Sequence, residues 1–332
     1  METPPPASPP PLPNEPSIAG FWRRFLGVFV DSIFVGLIGW GLGFLFFDYF
    51  ASLGGWGRIF GFAIGLIYYG LMNSRLCHGR TIGKRFAGTR VIARDGQPIG
   101  LGKSAVRYLV LALPVFLNGA PIPPSLLLTW VGLIASLLVF GFGGAIIYLI
   151  VFNRRTRQSL HDLIVGSFVV KRPAGDGPVN ATIWKGHYVV VILLLLASMV
   201  LPIILRPLAN GDFFKPIVAL QSRIVQEPEV SFATVYEGFT QTFGQGGSRT
   251  ATLNLTVALR QKPSDFDSEA NKIADIVLHD FPRAQSKDQI SILVAYGFDI
   301  GIARLSRSQN FAYSPAEWAN RIKSRVPAAP SP

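Results

Sequence analysis

The sequence is short of cysteine and short of charge, and each shortage excludes a class of protein. A single cysteine, Cys77, in 332 residues rules out a disulfide framework and a zinc site built on cysteines. Only 15% of the residues are charged, against about a quarter in an ordinary soluble domain. In their place stand 49% apolar residues, 25 phenylalanines and 34 glycines, with a mean hydropathy of +0.38. That apolar fraction is too high for a disordered chain and points to a membrane protein.

The net charge of +12 would suggest a nucleic-acid partner if it were spread over a soluble surface. It is not spread. Residues 73–107 carry eight basic and one acidic residue, and residues 153–186 carry six and two. Two loops flanking apolar runs therefore hold +11 of the +12, the pattern of short cytoplasmic loops. The charge sets topology, and no nucleic-acid partner is expected.

Five apolar runs read as transmembrane helices: Phe25–Phe47, Arg58–Met72 extended by Asn73–Ser74, Ala105–Asn118, Leu126–Phe152 and Tyr188–Leu205. About 20 apolar residues are needed to cross a hydrocarbon core of about 30 Å. The third run is short and holds Arg107 and Pro114. It is assigned as a span because only then do both basic loops fall on one side. The amino terminus is then cytoplasmic, and the chain after Leu208 lies outside. Residues 1–17 read as a disordered proline-rich tail, with no basic segment or cleavage site of a secretory signal. Residues 18–172 form a four-helix membrane domain, 173–209 a linker and the fifth helix, and 327–332 a second disordered tail.

From 210 to 326 the pattern becomes that of a small α+β domain. Leu253, Leu255, Val257 and Leu259 alternate on one strand face, and Val230–Phe243 precedes them across a glycine-rich connection. Ala270, Ile273, Ala274, Val277, Leu278 and Phe281 share one helical face, with a cap near Ser264/Asp267. Ile290–Phe298 and Ile300–Arg307 read as two further strands. Ser314-Pro-Ala-Glu317 is a capping box opening a last helix. The expected fold class is a membrane all-α helical bundle of five transmembrane helices plus a small extracytoplasmic α+β domain ordered β-β-α-β-β-α.

Three ordered motifs carry a resemblance. Ala19-Gly-Phe-Trp-Arg-Arg24 is followed seven residues later by Asp31; Thr81-Ile-Gly-Lys-Arg85 runs through Gly88-Thr-Arg-Val-Ile and Asp95-Gly-Gln-Pro98; Arg157-Gln-Ser-Leu-His-Asp162 precedes Gly166-Ser-Phe-Val-Val170. Residues 18–172 thereby resemble the RDD family of membrane proteins, and the remainder of the chain does not. The resemblance maps the family's arginine and two aspartates onto Arg24, Asp31 and Asp162, and implies transport of ions or small solutes.

The physics of these positions stands apart from the name. An aspartate inside a span costs about 2.5–3.5 kcal/mol on insertion scales, so Asp31 needs a partner or water. Tyr68, Tyr69 and Arg107 are the candidate partners, and the alternatives for Asp31 are a packing pin or an ion pathway. Arg24 lies about 10 Å along the helix from Asp31, too far for direct contact. Asp162 lies near Arg154, Arg155 and Arg157 and is expected to make a salt bridge or helix cap that holds the loop against the bundle. Lys84 follows no glycine-rich turn, so a nucleotide-binding loop is rejected. Lys84, Arg85 and Arg90 form a cytoplasmic basic motif with a lipid-contacting or structural role.

Two function classes follow. One is an ion- or small-solute carrier with Arg24, Asp31 and Asp162 along its pathway. The alternative is a membrane-anchored envelope scaffold presenting the α+β domain to a partner. The outer region has one histidine, His279, and no triad, metal-ligand or paired-carboxylate pattern. No catalytic residue, metal or cofactor is assigned, and an enzyme is not expected. The expected partners are membrane lipids, a second copy of the chain and an envelope protein, at the cell membrane.

Overall fold

The computed structural model describes residues 15–127, 129–173, 175, 177–209, 211–241 and 249–325. The expected tails at 1–14 and 327–332, and most of the glycine-rich connection before residue 249, lie outside the described residues. In chain order the first helices are α1 (Phe21–Leu45), α2 (Phe47–Leu53), α3 (Arg58–Met72), α4 (Ile82–Phe86) and α5 (Leu101–Leu117). They are followed by α6 (Pro124–Leu127), α7 (Trp130–Ser136), α8 (Phe142–Phe152), α9 (Leu160–Val165) and α10 (Gly186–Ala209). A π turn at Leu137–Gly141 joins α7 to α8.

Among the described residues, four helical segments are long and apolar enough to cross a membrane: Phe21–Leu45, Phe47–Met72, Trp130–Phe152 and Gly186–Ile204. The expected third span, now α5, is not among them. It has 17 residues with Pro114 inside, about 25 Å of helix against a core of about 30 Å. The chain divides into two compact units.

The first unit takes Met1–Gly36, Phe62–Leu117 and Leu137–Ser198. It is not all helix, which corrects the expectation for this half. Strands β1 (Thr89–Ala93) and β2 (Ser167–Lys171) pair antiparallel, with Thr89 opposite Lys171 and Ala93 opposite Ser167. Ile18 bridges to Val170, and the Ser17 carbonyl accepts from the Lys171 N–H, so the end of the expected tail is held on the sheet. Phe168 and Val170 on one side and Val91 and Val169 on the other are all buried. Both faces of the ribbon are covered, so its residues show no polar–apolar alternation. A separate apolar cluster ties α5, α8, α9 and α10 through Val110, Leu149, Leu160 and Val191.

The second unit takes Leu37–Gly61, Asn118–Ser136 and Met199–Pro332. Its sheet has the order β3-β4-β5-β6, from β3 (Val230–Gln241), β4 (Arg249–Leu259), β5 (Gln289–Asp299) and β6 (Arg304–Tyr313). The outer pairs are antiparallel and β4–β5 is parallel. A parallel pair needs a crossover, supplied by helix α12 (Phe266–Asp280). Helix α11 (Lys215–Val225) precedes the sheet, and α13 (Pro315–Arg325) follows it.

The β-β-α-β-β-α order read from the sequence is present, with α11 added in front. Leu253, Leu255, Val257 and Leu259 are buried together with Ile290, Ile292 and Val294 beneath the helices. The cap of α12, expected near Ser264/Asp267, is Asp265, which accepts from the N–H groups of Asp267 and Ser268. The capping box forms: the Ser314 N–H donates to Glu317 Oε2 at 2.8 Å, and the Glu317 N–H donates to Ser314 Oγ. The last strand begins at Arg304 instead of Ile300, because Asp299 Oδ1 accepts from the Gly301 N–H in a turn where Gly301 has φ +80°. This unit also buries Phe298 and Ile300 against Phe47 and Phe50 of α2. Asp48 accepts from the Tyr296 hydroxyl at 2.6 Å, and Arg58 pairs with Asp299 at 2.8 Å.

Candidate functional site

The signature residues Arg24, Asp31 and Asp162 all lie in the first unit, in two polar clusters. Asp31 is fully buried on α1 and accepts three protein donors. The Tyr68 hydroxyl of α3 donates to Oδ1 at 2.7 Å, the Gly83 N–H donates to Oδ1 at 2.7 Å, and the Thr81 hydroxyl donates to Oδ2 at 2.6 Å. Thr81 serves twice. Its Oγ1 also accepts from the Lys84 N–H, which caps α4. Gly83 is required by proximity: a Cβ there would fall 2.9 Å from the Asp31 carboxyl carbon. Asp31 thus pins the start of α4 onto the middle of α1.

Asp162, in the first turn of α9, is also fully buried. Arg107 Nε donates to its Oδ1 at 2.8 Å, and so does the Ser167 hydroxyl at 2.8 Å. Arg24 reaches Oδ2 at 3.4 Å, and His161 Nε2 lies 3.5 Å from the same oxygen. Arg24 spends its other N–H groups on main-chain carbonyls. Nε donates to Ala19, Nη2 to Val169, and Nη1 to Arg157. One guanidinium therefore joins the chain before α1, strand β2 and the loop after α8. The spacing within α1 excludes Arg24 from Asp31; the fold gives it Asp162 instead.

The salt bridge expected of Asp162 is made, with Arg107 and Arg24 as its partners. Arg154 and Arg155 are exposed, whereas Arg107 arrives from the buried side of α5. Arg107 therefore belongs to Asp162, and Tyr68 to Asp31. Lys84 is also placed differently from a headgroup ligand. It is 9% exposed, while Arg85 beside it is exposed and Arg90 is intermediate. Lys84 is therefore enclosed by protein, whereas Arg85 points its charge outward.

Burial lowers the Lys84 pKa to about 8, with the Arg107 charge acting the same way and Asp31 opposing it. Burial likewise drops His161 to about 3, so this imidazole is neutral at pH 7, and its Nδ1 finds no hydrogen-bond partner among the described residues. For Asp162, burial pushes the carboxyl up, but the Arg107 and Arg24 guanidiniums outweigh it and hold it well below the usual range. The neutral His161 and the ionised Asp162 do not form a proton-transfer pair at neutral pH.

Among the described residues, no group of three or more His, Cys, Asp or Glu side chains is arranged to hold a metal. A depression of about 670 Å³ opens in the same unit, and neither signature aspartate lines it. Residues 18–166 match the RDD family model, a span that takes in Arg24, Asp31 and Asp162 and the donors to Asp31, while Ser167 and Val169 of the second cluster lie just beyond it. This part of the chain is similar to the RDD family. The family match ends before β2, and the second unit's sheet lies wholly outside it. Over 116 residues the chain is 27% identical to YckC of Bacillus subtilis (strain 168), a protein described as uncharacterized. That alignment takes in 35% of this chain and 63% of YckC.

The sequence offered no direct signal for the Arg24–Asp162 pairing, which joins residues 138 positions apart. A signal for Thr81 was present, since a threonine followed by Ile-Gly-Lys is a helix start. The three donors to Asp31 are supplied by the Thr81–Arg85 motif and by Tyr68 of α3.

Proposed function

We propose that this protein is a multi-span scaffold of the cell membrane, in which the RDD signature is a structural latch. The observation carrying this reading is the occupancy of the two aspartates. Asp31 accepts three donors, and Asp162 accepts two guanidiniums and a hydroxyl. A carboxylate that already accepts three buried protein donors is a poor station for a moving ion. Both residues instead hold the basic loop layer to the membrane helices. The C-terminal α+β domain is then the part that meets an envelope partner.

The charge asymmetry of the loops supports a cytoplasmic amino terminus and an external C-terminal domain. That topology requires α5 to cross as a fifth span. Reporter fusions after Pro207 and within residues 85–100 are expected on opposite sides; the same side would remove the fifth span. The scaffold itself is tested in proteoliposomes by following Na⁺, K⁺ and proton flux through the full-length protein. Flux no greater than in protein-free liposomes is expected. Flux that is present in wild type and lost in a well-folded Asp31→Asn protein would return the carrier reading, with Asp31 as its acid.

A further inference from the structure

The depression of about 670 Å³ brings four cationic side chains together: Arg23, Arg154, Arg157 and Lys171. No acidic residue lines it, and none of the four has a carboxylate partner in the described ion pairs. Arg23 donates only to the Ala87 carbonyl, at 3.3 Å. Four like charges converging without an acid repel one another and call for an anion. The guanidinium forks among them match the geometry of a phosphate.

The position of Arg157 is built into the fold. Its backbone lies in the left-handed region, with φ +55°, and its carbonyl is held by Arg24. Such a conformation persists in a non-glycine residue where surrounding contacts fix it. The signature arginine therefore sets one wall of the depression without entering it.

The opposite character appears beside the cations. Phe21, Trp22, Ile150 and Val151 line the same space. Phe21 starts α1 and Val151 nearly ends α8, both within segments able to cross a membrane. Trp22 is 76% exposed, at the kind of helix end where tryptophan marks the headgroup level. The first N–H groups of α1 also lack carbonyls one turn earlier and add to the positive field. We propose that this depression binds an anionic phospholipid of the surrounding membrane, its phosphate among Arg23, Arg154, Arg157 and Lys171 and its first acyl carbons against Phe21, Trp22, Ile150 and Val151. The site is separate from the basic motif at Lys84, Arg85 and Arg90, and it holds for a scaffold or a carrier alike.

The test uses full-length protein in neutral detergent with equimolar dioleoylphosphatidylglycerol and dioleoylphosphatidylcholine, read by native mass spectrometry. Preferential retention of the anionic lipid is expected. The double variant Arg154→Gln/Lys171→Gln should weaken that retention by about 30-fold, from about 1 kcal/mol per lost charge. The charge-preserving pair Arg154→Lys/Lys171→Arg and the control Arg155→Gln, outside the depression, should retain it. Unfolding temperatures are measured beside retention; if the double variant unfolds, Lys171→Gln alone should weaken retention by about fivefold. Equal retention of both lipids, or undiminished retention in a folded charge-removed variant, would overturn the site. Displacement of the anionic lipid by equimolar inorganic phosphate would overturn its lipid assignment and make it a site for the free anion.

Discussion

The two units bury different things. The first unit hides Asp31, Asp162, Arg107, Lys84 and His161, whereas the core of the C-terminal domain is Leu, Ile, Val and Ala around Trp318. In that domain, from residue 211 onward, Thr252 and Asn271 are the buried polar residues described, and most ion pairs, such as Lys272–Glu269, are at the surface. The difference follows from the surroundings. Against water, apolar burial alone drives strands and helices together, at about 25 cal/mol per Å². Between helices bathed in lipid that drive is absent, and directional polar contacts must choose the arrangement. Arg24, Asp31 and Asp162 supply that choice.

The largest effect comes from removing a charge in the first unit. Asp162→Asn leaves Arg107 and Arg24 buried without a counter-charge and should destabilise the unit by about 3–5 kcal/mol. Thermal unfolding in detergent, with membrane abundance as a second readout, measures this. A loss under about 1 kcal/mol would show that the pairing is incidental. In the C-terminal domain the comparable damage should need a cavity instead. Ile292→Ala, at a fully buried β5 position, should cost about 2–5 kcal/mol, measured by chemical denaturation of the full-length protein.

The pH response should sharpen the contrast further, since it arises in the first unit. His161 titrates near 3 in the fold and near 6.5 when unfolded. Below pH 6.5 the unfolded chain binds the proton first, so stability falls from pH 6.5 towards 3. His161→Gln should flatten that slope. Lys84, at about 8 in the fold against 10.5 unfolded, works at the other end. Between pH 8 and 10.5 only the unfolded chain holds the proton, so stability rises with pH there, and Lys84→Met should abolish the rise. Unfolding temperatures across pH 4–10 provide the check. The smallest effect belongs to the C-terminal surface: Lys272→Ala removes pairs to Glu269 and Glu229 and should cost less than about 1 kcal/mol.

Legibility in the sequence divides along the same line. Elements whose cause is local were readable: the alternation of Leu253 to Leu259, the face of α12, and the capping box at Ser314. Helix α11 was readable too, because Ile217, Leu220 and Ile224 recur at helical spacing, yet it was not predicted. Strands β1 and β2 were hidden because five-residue strands covered on both faces carry no alternation. The candidate residues Arg24, Asp31 and Asp162 were legible from their motifs, but their partners were not. Arg24 meets Asp162 and Arg107 meets Asp162 only after the chain has folded back over 138 and 55 positions, and nothing local encodes either meeting.

The most direct test of the latch is amide hydrogen exchange at Gly83 and the surrounding residues 81–87, compared between wild type and Asp31→Asn. In the wild type the Gly83 N–H is held by Asp31 Oδ1 at 2.7 Å, and Thr81 and Tyr68 donate to the same carboxylate. Asn cannot accept at both terminal atoms, so at least one of the donors loses its partner, a loss of about 1–3 kcal/mol in a buried site. The account predicts exchange in residues 81–87 faster by about tenfold or more, with the C-terminal sheet unchanged. Unchanged protection in residues 81–87 of a folded Asp31→Asn protein would contradict it.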